Sequence, residues 1–220
     1  MNQFNTIIFD WDGTLMDSAG RIVSAMKTSA LNVGLPVPED EGIRHIIGLS
    51  MDEVFNQLFP GADEASRTKL FEEYRFQYIE GDTTPTPLFK GVELLLQSLQ
   101  EQSFNLAVAT GKARKGLLRV MGETKLERYF DDSICADEAE SKPSPQMLNI
   151  ITERNGWQKQ QCLMIGDTSH DLQMAANAGI ASIGVSYGAH PIDKLSPLKP
   201  LHILDDINHL TDVLSLRVPA

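Results

Sequence analysis

The residues with the clearest chemical potential stand in four short segments. In Phe9-Asp10-Trp11-Asp12-Gly13-Thr14-Leu15 two carboxylates lie two residues apart at the end of an apolar, β-branched run. That is where an open parallel sheet places its ligand crevice. A plain Asp/Gly turn is the structural alternative. A calcium loop fits Asp10, Asp12 and Thr14 at its odd positions, yet its last ligand position holds Arg21 and no glycine occupies its sixth. Ala109-Thr110-Gly111-Lys112 offers a hydroxyl and free backbone N–H groups ahead of a helix, a combination suited to phosphate oxygens and also to an ordinary cap. In Ser141-Lys142-Pro143-Ser144-Pro145 a single Lys stands on a proline-held approach to a helix, where it could place one fixed positive charge. Ile165-Gly166-Asp167-Thr168-Ser169-His170-Asp171 carries two acids four residues apart around a strand-to-helix turn, which would serve a ligand or cap the helix.

These segments need strands to hold them. Apolar runs at Thr6 to Asp10, Asn105 to Thr110, Ser133 to Ala136, Cys162 to Gly166, Ala181 to Ser186 and, weakly, His202 to Leu204 alternate with helical patterns. This alternation predicts a mostly parallel sheet with crossover helices, an α/β Rossmann-like three-layer core with its first strand central. Val92, Leu95, Leu96 and Leu99 make one helical face, Ser144-Pro145 reads as an N-cap and first helical residue, and Gly179 ends a helix that begins near Ser169. Residues 18–83 break the pattern: they show helical periodicity, a capping box at Ser50-Met51-Asp52-Glu53 and no strand, then rejoin through Thr83-Thr84-Pro85-Thr86-Pro87. The expected organisation is a core of residues 1–17 and 84–220 with an all-helical inserted domain, 18–83.

Composition narrows the partners. Thirty acidic against 19 basic residues give a formal charge of −11, which repels nucleic acid and anionic membranes, so neither is expected as a partner. An anionic substrate would need local cations or a metal to enter that field. No run approaches a membrane span, and Cys135 and Cys162 stand far apart with no metal-ligand spacing. A cytoplasmic protein with reduced thiols, monomer or dimer, is the expectation. There is no serine-hydrolase GxSxG elbow and no P-loop GxxxxGK[ST], and the five histidines have no metal-ligand spacing.

DWDGT, ATGK, SKPSP and GDTSHD, in this order and with a helical insert between the first two, resemble the haloacid dehalogenase superfamily, in particular its phosphoglycolate phosphatase and β-phosphoglucomutase group. The resemblance spans essentially the whole chain. It implies Asp10 as nucleophile, forming an aspartyl phosphate, and Asp12 as the acid and base that serves the leaving group and then water. It implies Mg²⁺ on Asp10, Asp167 and the carbonyl of Asp12, with Asp171 beside it. Thr110, Gly111 and Lys142 would bind the phosphoryl oxygens. The implied activity is Mg²⁺-dependent hydrolysis of a small phosphorylated metabolite, phosphoglycolate-like or a sugar phosphate. A phosphosugar mutase shares the motifs. A receiver-like phospho-acceptor module uses similar groups, though it needs neither this length nor the insert. Within the insert, Arg44 in Gly42-Ile43-Arg44-His45-Ile46-Ile47-Gly48 is the candidate contact for a substrate's second anionic group.

Overall fold

The computed structural model describes residues 4–215. The strands are β1 (Thr6–Phe9), β2 (Asn105–Thr110), β3 (Asp132–Cys135), β4 (Cys162–Gly166), β5 (Ala181–Val185) and β6 (Ile203–Leu204). They form one sheet in the order β3-β2-β1-β4-β5-β6, and every pairing is parallel. β1 lies between β2 and β4, so the order reverses beside it and a crevice opens at its carboxyl end.

Strand alternation explains the layers. Ile7, Phe9, Leu106, Val108, Leu163 and Ile165 point to one face, under α5 (Val92–Glu101) and α6 (Arg114–Thr124). Ile8, Ala107, Ala109, Cys162 and Met164 point to the other, under α7 (Gln146–Asn155) and α8 (Ser169–Ala178). Both faces are dry, which is why these strands read as continuous apolar runs in the sequence. The expected α/β three-layer architecture with a central first strand is present.

Between β1 and α5 the chain forms α1 (Ala19–Asn32), α2 (Asp40–His45), α3 (Met51–Leu58), α4 (Glu64–Phe76) and a π-helical turn, Gln77–Gly81. Met26, Ile43, Val54, Phe55 and Leu70 belong to a buried cluster of their own. Each such side chain contributes about 1.5–3 kcal/mol relative to exposure, so the insert has a separate hydrophobic centre. Where the chain leaves and returns, Asp17 N–H donates to Pro87 O (2.8 Å) and Phe89 N–H to Leu15 O (3.0 Å), holding the two connectors side by side. Among the described residues no helix is long and apolar enough to cross a membrane.

Local chemistry differs from expectation in two places. α7 begins at Gln146 with Pro145 in the cap position, one residue later than the Ser144-Pro145 pattern suggests; Ser144 Oγ accepts from Gln146 N–H (3.3 Å) and donates to Glu140 (2.7 Å). At Ser50 the box is half formed: its Oγ accepts from Glu53 N–H, but its own N–H donates to Ser141 Oγ (2.9 Å) on the core. The full reciprocal box is at Thr168 and Asp171.

Candidate active site

Asp10 is the first residue past β1, and its N–H donates to Ile165 O (2.9 Å). The chain then turns tightly, with Leu15 and Met16 N–H both donating to Trp11 O. Gly13 makes this turn possible. Its φ is +82°, and a Cβ there would lie 2.1 Å from Asp167 Oδ2. The turn therefore presses directly on the end of β4.

Four of the expected residues meet here. Lys142 Nζ, with a fully buried side chain, donates to Asp10 Oδ1 (2.7 Å) and Asp171 Oδ1 (2.6 Å). Asp171 Oδ2 also accepts from Thr168 N–H (3.0 Å) and Oγ1 (2.7 Å). Asp167 accepts from Thr14 Oγ1 (2.9 Å) and Ala189 N–H (2.7 Å). Asp10 Oδ2 is buried and has no hydrogen-bond partner.

The charges do not balance. Burial, only partly offset by Lys142, raises the Asp10 carboxyl to about 7. Burial, with Asp10 and Asp171 nearby, holds Asp167 well above the carboxylate range. Burial opposes ionisation of Asp171 too, but Lys142 and the Thr168 hydrogen bonds win and keep it below its usual value. Lys142 thus neutralises Asp171 and leaves Asp10 and Asp167 in excess. Ligand oxygens of all three acids lie within 4.8 Å of one another. A hard, all-oxygen donor set with surplus negative charge and one unpartnered buried oxygen fits a divalent ion such as Mg²⁺, held chiefly by Asp10 and Asp167.

Asp12 faces the other way. Its Oδ1 accepts from Ser18 Oγ and its Oδ2 pairs with Lys112 Nζ at 2.8 Å. A metal contact from Asp12 would have to come from its main-chain carbonyl. Thr110 is buried at the end of β2, where its Oγ1 accepts from Lys112 N–H (3.2 Å). Gly111 lies against the insert: a Cβ would sit 2.4 Å from Gly48 O. Arg44 is the exception. It is exposed on α2 and does not line the cavity described next, because the apolar Ile43, Ile46 and Ile47 take the inward positions and turn Arg44 to solvent. Sequence reasoning assigns no role to Ser18, and none of this kind to Lys112 or Thr14, which stand in the motifs, or to Ala189, in the segment 186–190 expected to rim the pocket. Lys112 had a local signal, since it follows the Thr110-Gly111 pair directly.

From Asp12, Gly111 and Lys112 a cavity of about 550 Å³ runs into the insert. Elsewhere along the same seam His45 of the insert meets His170 and His190 of the core, with ring centroids 5.1–5.4 Å apart. His170 and His190 each place Nε2 against His45 O, at 2.8 and 3.1 Å. Their separation in the chain hides this grouping. Burial, reinforced by neighbouring His170, pushes His190 down to about 4 from a usual 6.5. The unfolded chain therefore binds a proton that the folded chain refuses, and the stability present above the unfolded value is lost as pH falls toward 4. Between about pH 7 and about pH 4.5, wild type should lose on the order of 2 kcal/mol more than His190→Asn in denaturant unfolding. Comparing the two proteins cancels the opposite contribution of Asp10; equal losses would show that His190 is not held neutral.

An acidic cluster bridged by one lysine, at the reversal point of a parallel sheet and under a helical insert, defines a class of phosphoryl-handling hydrolase. Residues 7–185 match the model for haloacid dehalogenase-like hydrolases, and the chain belongs to that family. It is a phosphoric monoester hydrolase by this membership and by its relatives. It is 37% identical to a probable phosphatase, IndB, of Dickeya dadantii, over 93% of this chain and 90% of that protein. It is 28% identical to a phosphoglycolate phosphatase of Vibrio parahaemolyticus, over 96% of each. Among solved structures, a predicted phosphatase from Clostridium acetobutylicum superposes with a TM-score of 0.84 at 27% identity, over 97% of this chain and 99% of that one.

Proposed function

We propose that this chain is a Mg²⁺-dependent phosphatase of a small phosphorylated metabolite, working through an aspartyl phosphate on Asp10. One observation carries the reading: Asp10 is fixed through Oδ1 by Lys142 while its buried Oδ2 has no partner, with Asp12 two residues on. An Asp10 oxygen attacks phosphorus, and the bond from phosphorus to the leaving oxygen breaks as Asp12 gives that oxygen its proton. Asp12 then takes a proton from the water that attacks the aspartyl phosphate, which releases phosphate and restores Asp10. Thr110, the Gly111 N–H and Lys142 hold the transferring oxygens. Mg²⁺ on Asp10 and Asp167, when bound, would offset the negative charge that gathers as substrate enters.

The organisation into a core of 1–17 and 84–220 with 18–83 as a cap follows from the same reading. Contact of Gly48 with Gly111 supports it, since that contact closes the insert over the crevice and keeps bulk water from the phosphoenzyme. The test is phosphate release from small phosphoesters. Activity should vanish in chelator and return with Mg²⁺, Ca²⁺ should inhibit because its longer, looser coordination misplaces Asp10, and Mg²⁺ should raise Tm by relieving the acid cluster. Full turnover by protein shown to be metal-free would overturn the metal assignment.

A further inference from the structure

The cavity above Asp12 carries information about the leaving group. Its volume, about 550 Å³, is in the range of pockets that enclose ligands of drug size. Its insert wall is mostly apolar, with Ile22, Met26, Ile47, Val54 and Phe71, and carries one cation, Arg75, near Tyr74 and Tyr78. Phosphoglycolate, two carbons and a carboxylate beside the phosphate, would leave most of such a space unfilled and cover little of its apolar wall. The opposite side is basic. Lys112, Lys115 and Arg119 line it, and Lys112 is already paired with Asp12. Arg119 gives Nη1 to Glu123, but its Nε is buried without a hydrogen-bond partner. A buried N–H of this kind loses its water and gains nothing until an acceptor arrives. The Tyr78 ring lies between these cations, with Lys112 Nζ 4.9 Å and the Arg119 guanidinium carbon 6.0 Å from its centroid.

We infer that the substrate is a phosphomonoester whose leaving group carries a ring-sized apolar body, packed against the insert wall, and a hydrogen-bond acceptor or anionic group at the edge that meets Arg119. This rests on the phosphatase reading of Asp10 and Asp12, and it narrows that reading away from two-carbon acids. The acceptor must sit on the leaving group, because the phosphoryl end is held by Lys142 and the Thr110-Gly111 turn. Arg119, and not Arg44, is the side chain placed to select for it.

The test uses four esters of primary alcohols: ethyl phosphate, phosphoglycolate, phenethyl phosphate and 4-carboxyphenethyl phosphate. Matching the alcohol type keeps leaving-group chemistry nearly constant. Wild-type kcat/KM should rise by about tenfold or more from ethyl to phenethyl phosphate, through burial of the ring, and again for the carboxylated ester. Val54→Trp, which fills the cavity, should collapse the phenethyl-to-ethyl ratio. Arg119→Gln, on a half-exposed helix surface where folding is secure, should lower the carboxyphenethyl-to-phenethyl ratio by several-fold. The binding of each ester to Asp10→Asn, measured by calorimetry, separates the two readings. Hydrolysis of all four esters with equal efficiency, or best with phosphoglycolate, would overturn the cavity inference and leave the phosphatase reading intact. Tighter binding of the phenethyl esters with no turnover of any ester by wild type would overturn the phosphatase reading, and the substrate claim with it, while leaving the cavity's preference for a ring. Ratios unchanged in both Val54→Trp and Arg119→Gln would overturn the inference outright.

Discussion

Asp10→Asn should abolish steady-state turnover, by at least about 10³-fold, while the folded protein becomes no less stable and melts at an equal or higher temperature. The two expectations share one cause. Asp10 is 1% exposed, and its carboxyl is raised to about 7 because burial and the neighbouring acids outweigh Lys142. For an acid raised in the folded state, the stabilisation present below the unfolded value of 3.8 is lost as pH rises through the folded value. At neutral pH the ionised group is therefore a burden on the fold, and the proposed nucleophilic role accounts for it, since an amide cannot displace an alcohol from phosphorus. Asn keeps the shape and an oxygen for Lys142 while removing one charge from the crowd with Asp167 and Asp171. Phosphate release and a Tm measured without divalent ions check both halves. Turnover above roughly one per cent of wild type would remove Asp10 as obligatory nucleophile. A large drop in Tm would show that the Asp10–Lys142 pair stabilises the fold rather than merely being tolerated by it.

The parts legible in the sequence were those written in local pattern. Ile7, Ile8 and Phe9 announced a strand buried on both faces, and the reversal of strand order beside β1 put Asp10, Thr110 and Asp167 at one end of the sheet. Gly179 stopped α8 in the left-handed conformation expected of a helix C-terminus. What escaped was tertiary. Thr14 on Asp167, Ser18 on Asp12 and the meeting of His45, His170 and His190 depend on how loops fold back over the sheet, and no spacing encodes that. Arg44 shows the same limit from the opposite side. Its charge suggested a substrate contact, but α2 is a six-residue helix whose orientation is set by burial of Ile43, and that orientation sends Arg44 outward. Arg119, invisible as a candidate in the sequence, reaches the cavity because Leu117, Val120 and Met121 anchor the other face of α6.

Asp12→Ala should slow hydrolysis of alkyl phosphates by roughly 10²–10⁴-fold, the usual span of general acid–base catalysis, and slow nitrophenyl phosphate far less. Nitrophenolate leaves with little help from a proton, whereas an alkoxide does not. The position supports the role: Asp12 stands two residues from Asp10 and lines the cavity that would hold the leaving group. Loss of the carboxylate also removes the attraction that chiefly keeps buried Lys112 charged, so the variant gains no compensating cation beside the leaving oxygen. Asp12→Asn, which keeps the size but neither the proton nor the charge, should behave like Ala on alkyl substrates. Comparing kcat/KM for nitrophenyl and phenethyl phosphate across both variants decides the matter. Equal losses on the two substrates would mean that Asp12 positions the site through Ser18 and Lys112 and does not protonate the leaving group.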